Sequence, residues 1–241
     1  MAGHSKWSNI KHKKGKEDAR RAKVFTKIGR EITVAAREGG PDPEFNPALT
    51  SAIDKAKAAN MPNDNIDRAI KRGTGELGGK DFEELAYEGY GPGGIAVYIS
   101  CLTDNRNRTA PEVRHVFDKG NGNLGQDGSV SYLFERKGLI GIEKTDDIDE
   151  ETLMMQAIEY GAEDFNVEEE GFEIITEVSQ FNSVKEGLEG EGYKFAICEL
   201  TYIPNTLISL TDEEEIKNME DLIEGLEELD DVQDVYTNWD I

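Results

Sequence analysis

Basic side chains are concentrated at the amino-terminal end of the chain, where they could contact phosphates. The first thirty residues hold ten Lys and Arg and only two acids, Glu17 and Asp18. Residues 1–80 contain 17 basic and 10 acidic side chains, a net +7, whereas residues 81–241 contain 10 basic and 40 acidic side chains, a net −30. The whole chain therefore has a formal net charge of −23. A cationic end on an anionic body is typical of proteins that bind a polyanion.

A helical pattern runs from about Lys16 to Arg37 and separates polar from apolar side chains. At about 100° per residue, the basic side chains share one face and the apolar ones gather on the opposite face. The basic face, called here the cationic stripe, consists of Lys16, Lys23, Lys27, Arg30 and Arg37. We expect this stripe to face away from the core and to bind phosphates, with an ordinary solvated helix face as the alternative.

Phosphate contacts of this kind position a protein on a nucleic acid without reading its sequence. We predict nucleic-acid contacts for Lys6, Lys11, Lys13, Lys14, Lys16, Arg20, Lys23, Lys27, Arg30 and Arg37. Trp7 belongs to the same predicted site. Its ring could stack on an exposed base or anchor the tail onto the helical domain, and the sequence leaves both open.

Residues 103–109, Thr-Asp-Asn-Arg-Asn-Arg-Thr, form the second candidate site. They follow a predicted strand and open a predicted helix, where backbone N–H groups favour anions. Arg106 and Arg108 are two of only ten basic residues in the acidic part of the chain. We predict nucleic-acid contact for both. The alternative is a capped helix start whose arginines pair with neighbouring carboxylates.

The remaining motifs argue against catalysis and against a metal or small-molecule site. The three His and two Cys lack metal-ligand spacing, and no Ser, Cys or carboxylate pair has a recognisable activating environment. The glycine-rich residues 87–94, Tyr-Glu-Gly-Tyr-Gly-Pro-Gly-Gly, lack the phosphate-loop pattern and predict a hairpin turn. We therefore expect no enzyme activity, no metal, no cofactor and no small-molecule substrate.

Nothing in the sequence predicts a membrane or secreted protein. No apolar run approaches the roughly 18 residues that a membrane span requires, and the amino-terminal residues lack the apolar core of a secretion signal. Cys101 and Cys198 lie in separate apolar runs, which is typical of reduced thiols. We expect a cytoplasmic protein with no membrane partner.

The order of predicted elements favours an α+β protein with several domains. Residues 1–75 predict a small, basic, all-helical domain, and a glycine-rich hinge follows at 72–80. Residues 135–204 follow the order strand, helix, strand, strand, helix, strand, which is the ferredoxin-like signature.

The tail at 205–241 contains a strand at 206–210, a helix and a last strand, too few for a sheet of its own. We expect it to pair with residues 81–134, which include a predicted strand at 129–134. The two segments would form a discontinuous middle α/β domain, so that two sandwich-like α/β domains follow the helical one.

Several of these segments together resemble the YebC family, which includes PmpR-type regulators and mitochondrial translational activators. The chain opens with Ala-Gly-His-Ser-Lys-Trp-Ser-Asn-Ile-Lys at 2–11, and the likeness returns at 46–49, 61–62, 87–92, 103–109 and 128–130. One departure is Asn121-Gly122, where the family usually has paired glycines. Asn tolerates left-handed backbone, so we expect the fold to be kept. The resemblance implies a cytoplasmic protein of three domains.

Three functions remain open at this point. The family label implies a DNA-binding transcriptional regulator. Other members imply a ribosome-associated translation factor that binds ribosomal RNA and relieves stalling, which suits an acidic body that a long duplex would repel. A third possibility is a protein-interaction module that binds no nucleic acid.

Overall fold

The computed structural model describes residues 21–78 and 81–240. In chain order its helices and strands are α1 (Arg21–Gly39), α2 (Pro47–Ala58), α3 (Asn63–Gly73), β1 (Glu83–Tyr90), β2 (Ala96–Thr103), α4 (Arg106–Lys119), β3 (Asn123–Leu124), β4 (Phe134–Glu143), α5 (Glu150–Tyr160), β5 (Asp164–Val167), β6 (Gly171–Glu177), α6 (Phe181–Gly190), β7 (Ile197–Pro204), β8 (Ile208–Ser209), α7 (Glu213–Glu227), β9 (Val232–Thr237) and β10 (Trp239–Asp240). Short 3₁₀ turns lie at Pro92–Gly94 and Ser131–Leu133. The predicted α+β class, with a helical amino-terminal region followed by sheets, is confirmed.

The helical region is a three-helix unit around a small apolar core. Ile28 and Ile32 of α1 pack with Leu49 of α2 and with Ile66 of α3. Asn46, buried before α2, accepts from the Leu49 N–H at 3.1 Å, and its amide donates to two carbonyl oxygens at the end of α1. This side chain therefore caps one helix and closes the other.

The middle part of the chain forms an antiparallel sheet in the order β3-β1-β2-β9. The last long strand, β9, pairs with β2, from Val97 opposite Thr237 to Cys101 opposite Val232. The pairing of β9 with β2 brings the carboxyl-terminal segment into the sheet of residues 83–124. Of the described residues, 21–78, 81–131 and 210–237 form one compact unit.

The second compact unit comprises residues 132–209 together with 238–240. Its sheet has the order β5-β6-β4-β7 with every pairing antiparallel, and α5 and α6 pack on it. This order, with the βαββαβ sequence of elements, confirms the predicted ferredoxin-like arrangement. The division of the chain into three domains stays a prediction.

Two predicted strands differ from the structure. The strand expected at 206–210 is only the two residues of β8. It does not join the middle sheet but pairs in parallel with β10 in the second unit, and the Ile208 N–H donates to the Asn238 carbonyl. The strand expected at 129–134 is wrong, since Ser131–Leu133 is a 3₁₀ turn and β4 begins only at Phe134.

A buried carboxylate explains why residues 128–131 form no strand. Glu88 of β1 is 6% exposed and accepts hydrogen bonds from the backbone N–H groups of Gly128, Val130 and Ser131 at 2.7 to 2.8 Å. Burial raises the pKa of Glu88, but these three donors outweigh burial and hold the pKa below its usual range. The loop is thus built around one side chain instead of a neighbouring strand.

We expect Glu88→Ala to lower the free energy of unfolding by about 3 kcal/mol, because three backbone donors lose their charged acceptor. Urea denaturation would measure the loss, and limited proteolysis should begin at residues 125–131. Glu84→Ala is the matched control, since Glu84 is an exposed residue of the same strand. Equal stability of the two variants would contradict this role.

Candidate functional site

The described residues of the cationic stripe, Lys23, Lys27, Arg30 and Arg37, contact other parts of the same compact unit. Lys23 forms an ion pair with the Glu228 carboxylate and donates to the Glu228 carbonyl oxygen at 2.7 Å. Lys27 donates to the Glu227 carbonyl oxygen at 3.1 Å. Both ammonium groups thus meet the carboxyl-terminal end of α7, where unpaired carbonyls and the helix dipole favour cations. These partners lie 205 and 200 residues away in the sequence, so no local pattern indicates them.

The Arg30 side chain is well enclosed, with 14% of it exposed. Its guanidinium donates to the Leu102 carbonyl at 2.9 Å, the Asp230 carbonyl at 2.6 Å and the Asp231 carboxylate at 2.8 Å. It also lies over the Phe82 ring, 5.2 Å from the centroid. Through these charge-assisted hydrogen bonds Arg30 stabilises the contact between α1 and the middle sheet region.

The last described stripe residue, Arg37, also binds within the same compact unit. It donates to the Phe82 carbonyl at 2.8 Å and to the Asp81 carboxylate at 3.2 Å. As predicted, these basic side chains lie opposite the apolar face of α1, which packs in the helical core. Unexpectedly, all four also contact the middle sheet, its loops or α7, and their contact with nucleic acid stays a prediction.

Asp231 lies at the centre of these contacts. Its side chain is 2% exposed and accepts from Arg30, from Arg108 at 2.7 Å, and from the hydroxyls of Thr103 and Thr109 at 3.0 and 2.8 Å. Its own carbonyl accepts from the Leu102 N–H at 2.9 Å. One carboxylate therefore joins α1, the 103–109 loop and the turn before β9.

The electrostatics of this cluster follow from its hydrogen bonds. Burial raises the pKa of Asp231, but the hydrogen bonds from Arg108, Thr109, Arg30 and Thr103 outweigh burial and hold the pKa below its usual range. The pKa of Arg108 is raised, chiefly by its hydrogen bonds to Asp231. The cluster is thus an ion pair that stays charged in the folded protein at neutral pH.

The two arginines of the 103–109 loop differ in the structure. Arg108 pairs with Asp104 at 2.9 Å as well as with Asp231, and Asn105 caps α4 by accepting from the Arg108 N–H. The alternative of a capped helix start with locally paired arginines describes Arg108. Arg106 is 65% exposed in its side chain and has Glu83 at 3.4 Å. Nucleic-acid contact by Arg106 stays a prediction.

The other predicted contact residues, Lys6, Trp7, Lys11, Lys13, Lys14, Lys16 and Arg20, lie outside the described residues. Residues 21–78 hold ten basic and eight acidic side chains, close to neutral, whereas residues 1–20 hold six basic and two acidic ones. Within the described part of the helical region, Lys57, Arg68, Lys71 and Arg72 are exposed. The cationic excess of the sequence therefore lies mainly in residues 1–20.

Comparisons with known proteins identify the relatives of this chain. A sequence profile described as the TACO1/YebC protein N-terminal domain matches residues 5–76, and one described as the TACO1/YebC second and third domain matches residues 82–239. The chain belongs to the TACO1/YebC family. A relative from Acetivibrio thermocellus named "Probable transcriptional regulatory protein" is 58% identical over 99% of both chains. One of the same name from Persephonella marina is 59% identical, covering 100% of this chain and 96% of its own.

A solved structure supports the same membership. The crystal structure titled as a conserved hypothetical protein, Aq1575, from Aquifex aeolicus superposes with a TM-score of 0.82 at 53% identity, over 92% of this chain and 91% of that one. In the described part of this chain, no helix is long and apolar enough to cross a membrane.

The segments that resemble the YebC family build the buried contacts described above. The 103–109 segment supplies Thr103, Arg108 and Thr109 to Asp231, and the 87–92 segment supplies Glu88 to the loop at 128–131. Asn121, at the departure from the family pattern, has φ +55°, a left-handed conformation that Asn tolerates. The sequence did not predict a role for Asp231, because nothing local distinguishes it from Asp230.

We expect Asp231→Asn to lower the free energy of unfolding by about 3 kcal/mol, because Arg30 and Arg108 lose their buried anionic partner. Asp230→Asn is the matched control, since its side chain is exposed and its carbonyl is kept. Urea denaturation at neutral pH measures both.

The pH dependence gives a second measurement on the same variant. The folded pKa of Asp231 lies below the usual 3.8, so its stabilisation is present above that value and is lost as the pH falls below it. The wild type should therefore lose its advantage over Asp231→Asn in acid. An advantage that is the same at pH 7 and in acid would contradict this assignment.

Proposed function

We propose that this chain is a regulator of gene expression that binds nucleic acid through residues 1–20 and performs no catalysis. The names of its relatives support a transcriptional role. We further propose that the chain acts in the cytoplasm and that DNA is the bound nucleic acid. The observation that carries the proposal is that the described stripe cations bind carboxylates and carbonyls of the same compact unit. The sequence that precedes them, residues 1–20, holds six basic and two acidic side chains and so most of the cationic excess.

The amino-terminal segment has the composition that phosphate contact requires. Its bases are Lys6, Lys11, Lys13, Lys14, Lys16 and Arg20. Each Lys or Arg that neutralises a phosphate releases counterions, so affinity should fall steeply with salt. Such contacts give affinity and position rather than sequence discrimination.

A ribosome-associated role in translation is the second candidate, and the negative charge of residues 81–237 favours it. Residues 81–131 with 210–237 hold 20 acidic and five basic side chains, and residues 132–209 hold 19 acidic and five basic ones. A long duplex would repel such surfaces, whereas folded RNA beside basic proteins would tolerate them. The exposed Arg106 could then make a second contact with RNA.

We expect replacement of Lys11, Lys13, Lys14 and Lys16 by Ala to weaken binding to duplex DNA and to make the log–log salt slope shallower by about 3.6, since four phosphate contacts are lost. Replacement of Lys57, Arg68, Lys71 and Arg72 by Ala removes the same charge from the exposed surface of the helical region and is the matched control. Filter binding across a salt series measures both variants.

The same titration with a structured RNA of equal length distinguishes the two candidates. Tighter binding of duplex DNA at matched salt supports the transcriptional role, and tighter binding of RNA supports the translational one. Unchanged binding of both nucleic acids by the amino-terminal variant would contradict the proposal.

A further inference from the structure

Helix α5 of the ferredoxin-like unit exposes apolar side chains on its outer surface. It buries Leu153 and Ala157 against the sheet, whereas Met154, Met155 and Ile158 are 37%, 62% and 58% exposed. At about 100° per residue these three side chains span only about 100° of the helix circumference. We call them the α5 stripe. A contiguous apolar surface of this kind on a soluble domain is typical of a binding site.

Acidic side chains border the α5 stripe on both sides. Glu150 and Glu151 lie one turn before Met154 and Met155, and Glu159 lies one turn after Met155; all three glutamates are exposed. Lys144 approaches Glu150 at 4.0 Å. Among the described residues, no ion pair is recorded for Glu151 or Glu159. The α5 stripe is therefore an apolar surface bordered by acidic side chains.

The negative charge around the α5 stripe restricts which partners can cover it. Residues 132–209 carry 19 acids and five bases, a net −14. A nucleic acid, an anionic membrane surface and the same unit of a second copy of this chain would all bring more negative charge to this face. A basic protein segment would instead gain both apolar burial and charge complementarity.

We propose that the α5 stripe binds a basic amphipathic helix of a partner protein. Such a helix presents apolar residues at positions i, i+3 and i+4 to Met154, Met155 and Ile158, and flanks them with Lys or Arg that face the glutamates. Methionine suits this task because its flexible thioether adapts to differently shaped apolar side chains. The proposal is argued from α5 alone, so it does not depend on the proposed nucleic-acid binding by residues 1–20.

The probe is a fluorescein-labelled amphipathic peptide of about 18 residues made only of Lys and Leu, long enough to form a helix when bound. Fluorescence anisotropy measures its affinity for the full chain at about 0.15 M salt. We expect Met155→Ser with Ile158→Ser to weaken binding at least about tenfold, because two apolar anchors are removed. Val167→Ser with Val178→Ser is the control, since these side chains are 46% and 39% exposed elsewhere in the same unit, and it should bind as the wild type does.

A second variant keeps the apolar side chains of the α5 stripe and changes only the acidic residues beside them. Glu151→Gln with Glu159→Gln should weaken binding severalfold and make it less sensitive to salt. Failure of the wild type to bind the peptide would overturn the proposal, as would an equal loss in the valine control. A dimer in analytical ultracentrifugation that the Met155/Ile158 variant abolishes would also overturn it, because the occupant would then be a second copy.

Discussion

The burial of the Asp231 carboxylate is the constraint on which the first compact unit depends. An ionised carboxylate that is 2% exposed is stable only if charged or polar donors surround it. Two guanidinium groups and two hydroxyls do so, and they come from α1, from the end of β2 and from α4. The carboxylate thereby fixes the helical region on the middle sheet and sets the conformation of the 103–109 loop.

This constraint changes the meaning of the charge asymmetry. The basic face of α1 and the acidic end of α7 are the two halves of one contact, so the acidic middle region is a partner of the amino-terminal helix. We therefore propose that a polyanion binds residues 1–20, which hold six basic and two acidic side chains. The acidic ferredoxin-like unit carries a separate apolar strip, which suits a basic protein better than a nucleic acid. We propose that these two regions bind partners of opposite charge.

Much of the fold could be predicted from local patterns, because alternation, helical periodicity and capping residues act over short distances. The βαββαβ order of 135–204 and the helix that Asn46 caps are examples. The predictions that were wrong depended on partners distant in sequence. Glu88 prevents a strand forty residues later, and Asp231 takes an arginine from each predicted site. A sequence displays the charge of Arg30 but does not indicate which carboxylate will approach it.

A double-mutant cycle between Arg30 and Asp231 tests the central claim most directly. Arg30→Gln, Asp231→Asn and the combined variant are compared with the wild type by urea denaturation at neutral pH. If α1 is held by this ion pair, the two losses will not add, and the coupling free energy will be about 2 kcal/mol. Losses that add to within about 0.3 kcal/mol would contradict the account, because the cationic face of α1 would then be free for another partner.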